Sequence, residues 1–430
     1  MACLALKGNI IYCDEDRCLV SHNNAYLVAE NNRIAGVFPV LPPAYAHAAV
    51  KDYGDALIIP GLVDLHFHGP QVAFAPVGMD MELLPWLEAC AFPEESRYRD
   101  LDYAALSYGR LVEELRRGFT TRGVMFATRH TEATLLLADL LQGAGLAAYV
   151  GRVSMDSLAP EDLKEGEAAA GDELRFIEAL LARDYDRVKP IITPRFVPSC
   201  SPALLEELGR LAKAYRLPVQ SHLSENQGEI ALVASLYPDA PHYAGVYDRF
   251  GLFGQTPTIM AHCVHCPPEE QQLLLERGVF IAHCPQSNTN LMSGIAPVRT
   301  YLSQGQRVGL GTDVAGGAQL SLFRAIQDAV AVSKLWKCLL APAEQQLAFA
   351  EAFYLATRGS GAFFGRVGAF EPGFALDALV IDDEKINTDD FTLEERLVRA
   401  VYLLHEDSLR AKYVAGREIL ASVAPYHCCG

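Results

Sequence analysis

The chain has 430 residues, of which 50% are hydrophobic and 21% are charged, and its formal net charge is −17. This length allows two to three domains, or a single (β/α) barrel that carries an appended domain. The acidic balance disfavours binding to a phosphate backbone, because nucleic-acid-binding domains usually carry a basic surface, and we therefore expect a small-molecule substrate.

The cysteines indicate a reducing compartment. There are 11 of them, an odd number, in a long chain with no secretory signal segment at Met1–Cys18, and this pattern is typical of free thiols rather than a disulfide framework. No uncharged apolar run approaches the roughly 18 residues that a membrane span needs. We expect a cytoplasmic protein that is not inserted in a membrane.

Both ends of the chain show short strand-like pieces separated by turn-forming residues. They are Leu4–Cys13, Tyr26–Glu30 and Ile34–Phe38 near the start, and Ala378–Ile381, Ala411–Ala415 and Glu418–Leu420 near the end. Chain termini often lie close together in a folded protein. The sequence therefore predicts a small β-sandwich domain built from residues 1–56 and 371–430.

Residues 57–370 alternate between strand-like and helix-like segments. Helices are predicted at Tyr103–Gly118, at Pro202–Arg216 with Ser201 as the N-cap, and at Pro268–Arg277 with Gly278 after the last turn. The predicted strands cover 57–66, 119–127, 147–153, 188–196, 217–223, 256–262, 279–284 and 307–312. Eight such strands alternating with helices predict a TIM-type (β/α)8 barrel, an α/β fold.

Polar side chains follow the ends of these strands, where the chemistry of such barrels is found. The residues are His66 and His68 after the first strand, Arg195 and Phe196 after the fourth, His222 and Glu225 after the fifth, His262 after the sixth, His283 after the seventh and Asp313 after the eighth. Residues two apart on a strand point the same way, roughly 6.6 Å from each other. His66 and His68 are thus placed to share one divalent metal.

The donor set favours zinc. His66, His68, His222 and Asp313 supply three neutral nitrogens and one carboxylate, a set that suits zinc, with iron(II) as the alternative. We expect one coordination position to stay open for water, whose pKa a bound zinc lowers to about 7. Asp313 is expected to accept a proton from that water as well as to bind the metal.

Two further residues are candidates for proton transfer. Glu225, three residues after His222, is expected to act as general acid and base; the alternative is that it only interacts with the start of the following helix. His262 is expected to orient the attacking oxygen, and the alternative is a buried histidine of the core.

In their order along the chain these residues resemble the amidohydrolase superfamily. The predicted fourth strand ends in Thr193–Phe196 with no lysine at its tip, and this resembles the mononuclear deaminase branch rather than the branch with a carboxylated lysine between two metals. Over nearly the whole chain the sequence is similar to the guanine deaminase family. The segments that carry this similarity are Pro60–Gln71, Leu84–Leu87, Phe92–Glu94, Pro194–Phe196, Ser221–Asn226, Ile281–Asn288 and Gly309–Gly317.

The resemblance implies hydrolysis of guanine to xanthine and ammonia by a zinc-dependent homodimer. It also implies that Gln71 and Arg195 hydrogen-bond the purine, that Phe196 lines it, and that His262 contacts it. The alternatives are a structural salt bridge for Arg195 and core packing for Phe196. Trp86 and Phe92 either close over the site or lie in the core of a loop.

Other functions remain open from the sequence. The chain could deaminate 8-oxoguanine, a pterin, a triazine or another aminopurine, or hydrolyse a cyclic amide. A non-catalytic scaffold with the amidohydrolase fold is the alternative from a different class, although such proteins typically lose metal ligands and this chain retains its four candidates.

Overall fold

The computed structural model describes residues 3–166, 169–387 and 390–421. The last part of the predicted segment 371–430, with His427, lies outside the described residues. The strands are β1 (Cys3–Cys13), β2 (Leu19–Glu30), β3 (Arg33–Phe38), β4 (Ala49–Pro60), β5 (Leu62–His68), β6 (Thr120–Phe126), β7 (Ala147–Gly151), β8 (Val153–Ser154), β9 (Val188–Pro190), β10 (Thr193–Pro194), β11 (Val219–Leu223), β12 (Thr258–His262), β13 (Phe280–His283), β14 (Arg307–Leu310), β15 (Ala378–Ile381), β16 (Leu409–Val414) and β17 (Arg417–Ala421). The helices are α1 (Leu83–Trp86), α2 (Phe92–Ser96), α3 (Leu101–Arg117), α4 (Thr131–Ala144), α5 (Ala169–Ala182), α6 (Pro202–Tyr215), α7 (Gln227–Leu236), α8 (Tyr243–Arg249), α9 (Pro268–Arg277), α10 (Pro285–Asn290), α11 (Val298–Ser303), α12 (Leu322–Leu339), α13 (Phe349–Tyr354) and α14 (Leu393–Leu403).

The central strands form two parallel arcs, β5-β6-β7-β9 and β11-β12-β13-β14. Backbone hydrogen bonds join the arcs at both seams: Gln220 N donates to Ile192 O at 2.9 Å on one side, and Asp313 N donates to His66 O at 2.8 Å on the other. Helices alternate with the strands along the chain. The predicted (β/α)8 barrel is confirmed.

The two ends of the chain share one sheet in the order β17-β16-β15-β4-β1-β2-β3. Strand β4 lies at its centre, parallel to β1 and antiparallel to β15. Alternate residues of β4 face opposite sides: Ile58 packs within the terminal domain, whereas Leu57 and Ile59 pack in the cluster that contains the barrel core. Both ends of the chain thus contribute strands to one mixed sheet, as expected, and its central strand holds this sheet against the barrel; the predicted bounds of the terminal domain stay a prediction.

Three of the predicted strands are interrupted in the structure: 147–153 comprises β7 and β8, 188–196 comprises β9 and β10, and 57–66 is divided at Gly61. The predicted strand 57–66 is two strands, because β4 ends at Pro60 and β5 begins at Leu62. Gly61 lies between them, and a Cβ atom there would come within 2.3 Å of the Thr121 hydroxyl oxygen. A residue without a side chain lets the terminal sheet pass into the barrel at this close approach.

The helix signals in the sequence correspond to the observed boundaries. The Ser201 hydroxyl accepts a hydrogen bond from Leu204 N at the start of α6, and α9 ends at Gly278, whose φ is 64°. Helix α3 begins two residues earlier than predicted, because the Asp100 side chain caps it. Among the described residues, no helix is both long and apolar enough to cross a membrane.

Candidate metal and active site

Polar residues converge where the barrel strands end. His66 and His68 lie at the end of β5, His222 and His262 lie at the ends of β11 and β12, and Asp313 follows β14. All five are buried. His262 and Asp313 have positive φ angles of 74° and 48°, a strained backbone conformation that is concentrated at functional sites.

The nitrogen and oxygen atoms of these side chains point at one small volume. His68 Nε2 and His222 Nε2 are 3.1 Å apart, and Asp313 Oδ1 lies 3.1 Å from His66 Nε2 and 3.6 Å from His68 Nε2. The donor atoms of His66, His68 and Asp313 all lie within 4.8 Å of one another. The residues predicted from the sequence as metal ligands are therefore brought together.

The protonation of this cluster suits a metal. Burial lowers the pKa of His66 and lowers those of His68 and His222 further still, and ligating imidazoles must be neutral. His222 Nδ1 donates to Arg195 O at 2.6 Å, which leaves its Nε2 lone pair free to bind. Both His66 ring nitrogens are buried without a hydrogen-bond partner. A cation among these atoms satisfies polar groups that would otherwise be costly to bury.

Asp313 is held as a carboxylate by its neighbours. Burial acts against its charge, but His66, His262 and His68 lower the pKa of Asp313 well below its usual range. Asp64, two residues before His66, accepts hydrogen bonds from His66 N and Thr312 N, both at 3.1 Å. It thereby links the end of β5 to the loop that carries Asp313, a role that the sequence analysis did not assign.

Glu225 and His262 form a second charged group beside the first. Glu225 Oε2 lies 3.4 Å from His262 Nε2, and Ser293 Oγ donates to Glu225 Oε1 at 3.0 Å. Burial raises the pKa of Glu225 to about 7. Although burial lowers it, the pKa of His262 is raised overall by Glu225 and Asp313. The pair can hold and release a proton near neutral pH.

His262 is fixed by a partner that sequence reasoning missed. Its Nδ1 donates to Asn288 Oδ1 at 2.9 Å, so its Nε2 is directed at Glu225 and, at 3.7 Å, at Asp313 Oδ2. Asn288 belongs to the segment Ile281–Asn288 that carries the family resemblance, which is the signal that could have identified it. Ser293 lies outside every such segment.

A cavity opens over these groups. Its walls combine the charged cluster with apolar side chains, and they consist of His68, Gln71, Leu83, Trp86, Leu87, Arg195, Phe196, His222, Glu225, Glu229, His262, Leu291 and Asp313. A cavity that combines apolar walls with converging polar groups is typical of a small-molecule site. Trp86 therefore lines the cavity rather than only a loop core.

A polar trio lies at another part of the wall. Gln71 Nε2 donates to Glu95 Oε1 at 2.8 Å, and Arg195 donates to the other oxygen of Glu95. The Arg195 guanidinium also lies over the Phe92 ring, 4.8 Å from its centre. Gln71, Glu95 and Arg195 are each at most 2% exposed. The sequence analysis singled out Phe92–Glu94 but not Glu95, the residue directly after it.

His283 does not join the site. It is fully buried at the end of β13, and it lines a separate cavity with Ala296, Val298 and Trp336 among others. Burial lowers its pKa to about 3, so it is neutral under ordinary conditions.

Comparison with known proteins places this geometry in a family. The model of the amidohydrolase family matches residues 57–408. The guanine deaminase of Mus musculus is 39% identical over 376 residues, which cover 84% of this chain and 82% of that protein. The crystal structure of guanine deaminase from C. acetobutylicum with bound guanine is 44% identical, with a TM-score of 0.94 over 97% of this chain and 100% of that one. An adenosine deaminase from Xanthomonas campestris with bound zinc, at 24% identity and a TM-score of 0.82 over 97% of this chain and 93% of that one, shares the fold.

Proposed function

The chain belongs to the amidohydrolase family, and we propose that it catalyses the hydrolysis of guanine to xanthine and ammonia. The observation that carries the proposal is one cavity that holds three kinds of group. These are a histidine and aspartate cluster suited to a metal, a proton-holding pair at Glu225 and His262, and a hydrogen-bonding pair at Gln71 and Arg195. The solved relative that is 44% identical was crystallised with guanine in its active site, which supports the choice of substrate.

We propose that His66, His68, His222 and Asp313 hold one zinc ion, with iron(II) as the alternative. The neutral nitrogens and single carboxylate suit either ion, and a cation next to Asp313 would bind the buried His66 Nε2, which lies 3.1 Å from Asp313 Oδ1. When bound, such an ion lowers the pKa of a water molecule to about 7 and so supplies hydroxide at neutral pH.

Gln71, Arg195 and Phe196 are proposed to bind the purine. The guanidinium of Arg195 donates to the carbonyl oxygen at C6, and the Gln71 carbonyl accepts from N1–H. Phe196, which is buried in the same wall, packs against the ring. These contacts place C2 of the base toward His222 and Glu225, on the side of the cavity that carries the histidines.

The proton transfers are proposed to use Glu225, Asp313 and His262. Asp313 accepts a proton from the attacking water, and Glu225 delivers a proton to N3 of the base as C2 becomes tetrahedral. The proton held by Asp313 then passes to the leaving amino group by way of the deprotonated Glu225, and the hydroxyl group on C2 returns a proton to Glu225 as the C2 carbonyl forms, so that water and guanine give xanthine and ammonia. His262 Nε2, which lies 3.4 Å from Glu225 Oε2 and 3.7 Å from Asp313 Oδ2, orients the oxygen between them.

The reaction is tested by following the ultraviolet absorbance of guanine together with ammonia release and metal content. The proposal expects one ammonia per guanine consumed and one metal ion per chain. The same assay with 8-oxoguanine, a pterin, an aminotriazine and a cyclic amide tests the other substrates. Failure of guanine with turnover of one of these compounds would replace the substrate, and a metal-free inactive protein would favour the scaffold alternative.

We further propose a cytoplasmic enzyme of guanine catabolism that acts as a homodimer. In support of the compartment, every cysteine in the described part of the chain is a free thiol, which suits a reducing environment. The dimer is proposed from the family resemblance, and light scattering of the purified protein tests it.

A further inference from the structure

Glu95 lies behind the two polar residues of the base-binding wall. It belongs to α2, is 1% exposed and is not among the residues that line the cavity. One of its oxygens accepts from Gln71 Nε2 at 2.8 Å, and the other accepts from Arg195. A single buried carboxylate therefore contacts both side chains that face the ligand.

This carboxylate decides which end of the Gln71 amide faces which partner. The amide nitrogen donates to Glu95, and the amide oxygen accepts from Ala315 N at 3.3 Å. A flipped amide would place its carbonyl against the carboxylate and its NH₂ against the Ala315 N–H group. Both contacts would then be repulsive and buried, which is costly.

Arg195 is fixed by the same residue. Its guanidinium is held between the Glu95 carboxylate and the Phe92 ring, and a guanidinium has five N–H donors, so donors remain for a ligand. With Glu95 in place, the wall therefore offers a donor from Arg195 next to an acceptor from Gln71. This pattern complements a lactam edge, which has a carbonyl acceptor beside an N–H donor.

We propose that Glu95 is the positioning residue that fixes this donor and acceptor pair, and that it thereby makes the site selective for purines with a 6-oxo group and a proton on N1. The inference rests on the proposed function and adds the origin of its substrate selectivity. 2-Aminopurine carries the same 2-amino group but has no oxygen at C6 and no proton on N1. Its N1 would face the Gln71 carbonyl, acceptor against acceptor.

The test is Glu95→Gln, measured as the ratio of kcat/KM for guanine to kcat/KM for 2-aminopurine. The new amide oxygen accepts from Arg195, so its NH₂ faces Gln71 and favours the flipped Gln71 amide, which gives up the bond from Ala315 N, at 3.3 Å the longer of its two contacts. The Gln71 NH₂ group then meets N1, which suits 2-aminopurine and not guanine. A site built to hydrogen-bond a substrate discriminates by about 10⁴-fold or more against an analogue that lacks the hydrogen-bonding group. We therefore expect the ratio of kcat/KM for guanine to kcat/KM for 2-aminopurine to fall by about 10²-fold or more in Glu95→Gln.

Glu94→Gln is the matched control. Glu94 is adjacent and also buried, but its carboxylate bonds to Tyr103 and Arg97 outside the cavity, and its selectivity ratio should equal that of the wild type. The readout is a selectivity ratio. General damage to the fold would lower kcat/KM for both substrates alike and leave this ratio unchanged. An unchanged ratio in Glu95→Gln, with metal content retained, would overturn the proposal.

Gln71→Leu gives the same test if Glu95→Gln does not fold. It removes the acceptor while Glu95 and Arg195 remain paired, and the ratio should again fall by about 10²-fold. A guanine preference that survives in Gln71→Leu would also overturn the proposal. Wild-type turnover of guanine is measured first, so a failure of the proposed reaction is distinguished from a failure of this inference.

Discussion

Glu225→Gln separates proton transfer from every other feature of the site. The substitution keeps the size of the side chain, and the amide can still accept from Ser293 Oγ, which now lies 3.0 Å from Glu225 Oε1. It leaves the proposed metal-binding cluster unchanged, because His66, His68 and Asp313 contact one another directly. What it removes is a group whose pKa burial raises to about 7, because an amide cannot deliver a proton.

The expected loss follows from the number of transfers assigned to this residue. General acid–base catalysis typically contributes about 10² to 10⁴-fold to a rate. Glu225 is assigned both the protonation of N3 and the transfer to the leaving amine, so we expect kcat for guanine to fall by about 10³-fold or more. KM should change little, since Gln71 and Arg195 hold the base elsewhere in the cavity.

The assay is steady-state kinetics with guanine, accompanied by metal analysis and thermal unfolding of the same preparations. Glu270→Gln is the control, because Glu270 is also buried but bonds to Ser224 Oγ and Ala244 N outside the cavity lining. Glu225→Gln should retain one metal ion per chain while losing turnover. Normal kcat in that variant would refute the role of Glu225, and loss of metal would show that Glu225 supports the metal cluster instead.

Four further outcomes are expected. Removal of the metal by a chelator should abolish turnover, and addition of zinc should restore it. The variant His222→Ala should bind less than half as much metal as the wild type, as measured by elemental analysis. Arg195→Ala should raise KM for guanine by about 10-fold or more with a smaller change in kcat, because it removes ground-state binding. Burial lowers the pKa of Lys412 to about 7, so between pH 7 and its unfolded pKa of about 10.4 the unfolded chain binds more protons and stability rises with pH. In urea unfolding, the change in stability between about pH 7 and pH 9 should be more favourable for the wild type than for Lys412→Met by about 2 kcal/mol; an equal change in both proteins would show that Lys412 does not contribute.

The barrel and its polar rim could be predicted because they depend on local pattern. The alternation of strands and helices sets the topology, and the two-residue spacing of His66 and His68 places both on one face of β5. His222, His262 and Asp313 follow from the same rule that strand ends meet at one face. The predicted strand 57–66 was wrong in its extent, because apolar residues lie on both sides of Gly61 although they belong to two different sheets. The close approach of Thr121 at Gly61, which separates the two strands, is a tertiary contact that the local pattern does not show.

Other site residues could not be predicted, because their roles depend on tertiary contacts. Asp64 lies within an apolar strand, and nothing in its neighbours shows that its oxygens will meet Thr312, 248 residues later. Ser293 contacts Glu225 across 68 residues from a loop without a motif. The seventh strand shows the opposite failure of local pattern, since His283 has the same position at a strand end as His262 but is buried in a different cavity.

The site divides into two parts with different origins in the fold. The proposed metal cluster and Glu225 come from the barrel strands, whose geometry is common to many chemistries on this fold. Glu95 comes from α2, which follows β5 through the segment 69–96, and it bonds to Arg195 of the barrel, 100 residues away. A substitution within the segment 69–96 can therefore alter which base is accepted without altering the hydrolytic groups. Selectivity and catalysis should for this reason respond separately to substitution, with Glu95→Gln changing the ratio between substrates and Glu225→Gln lowering turnover of every substrate.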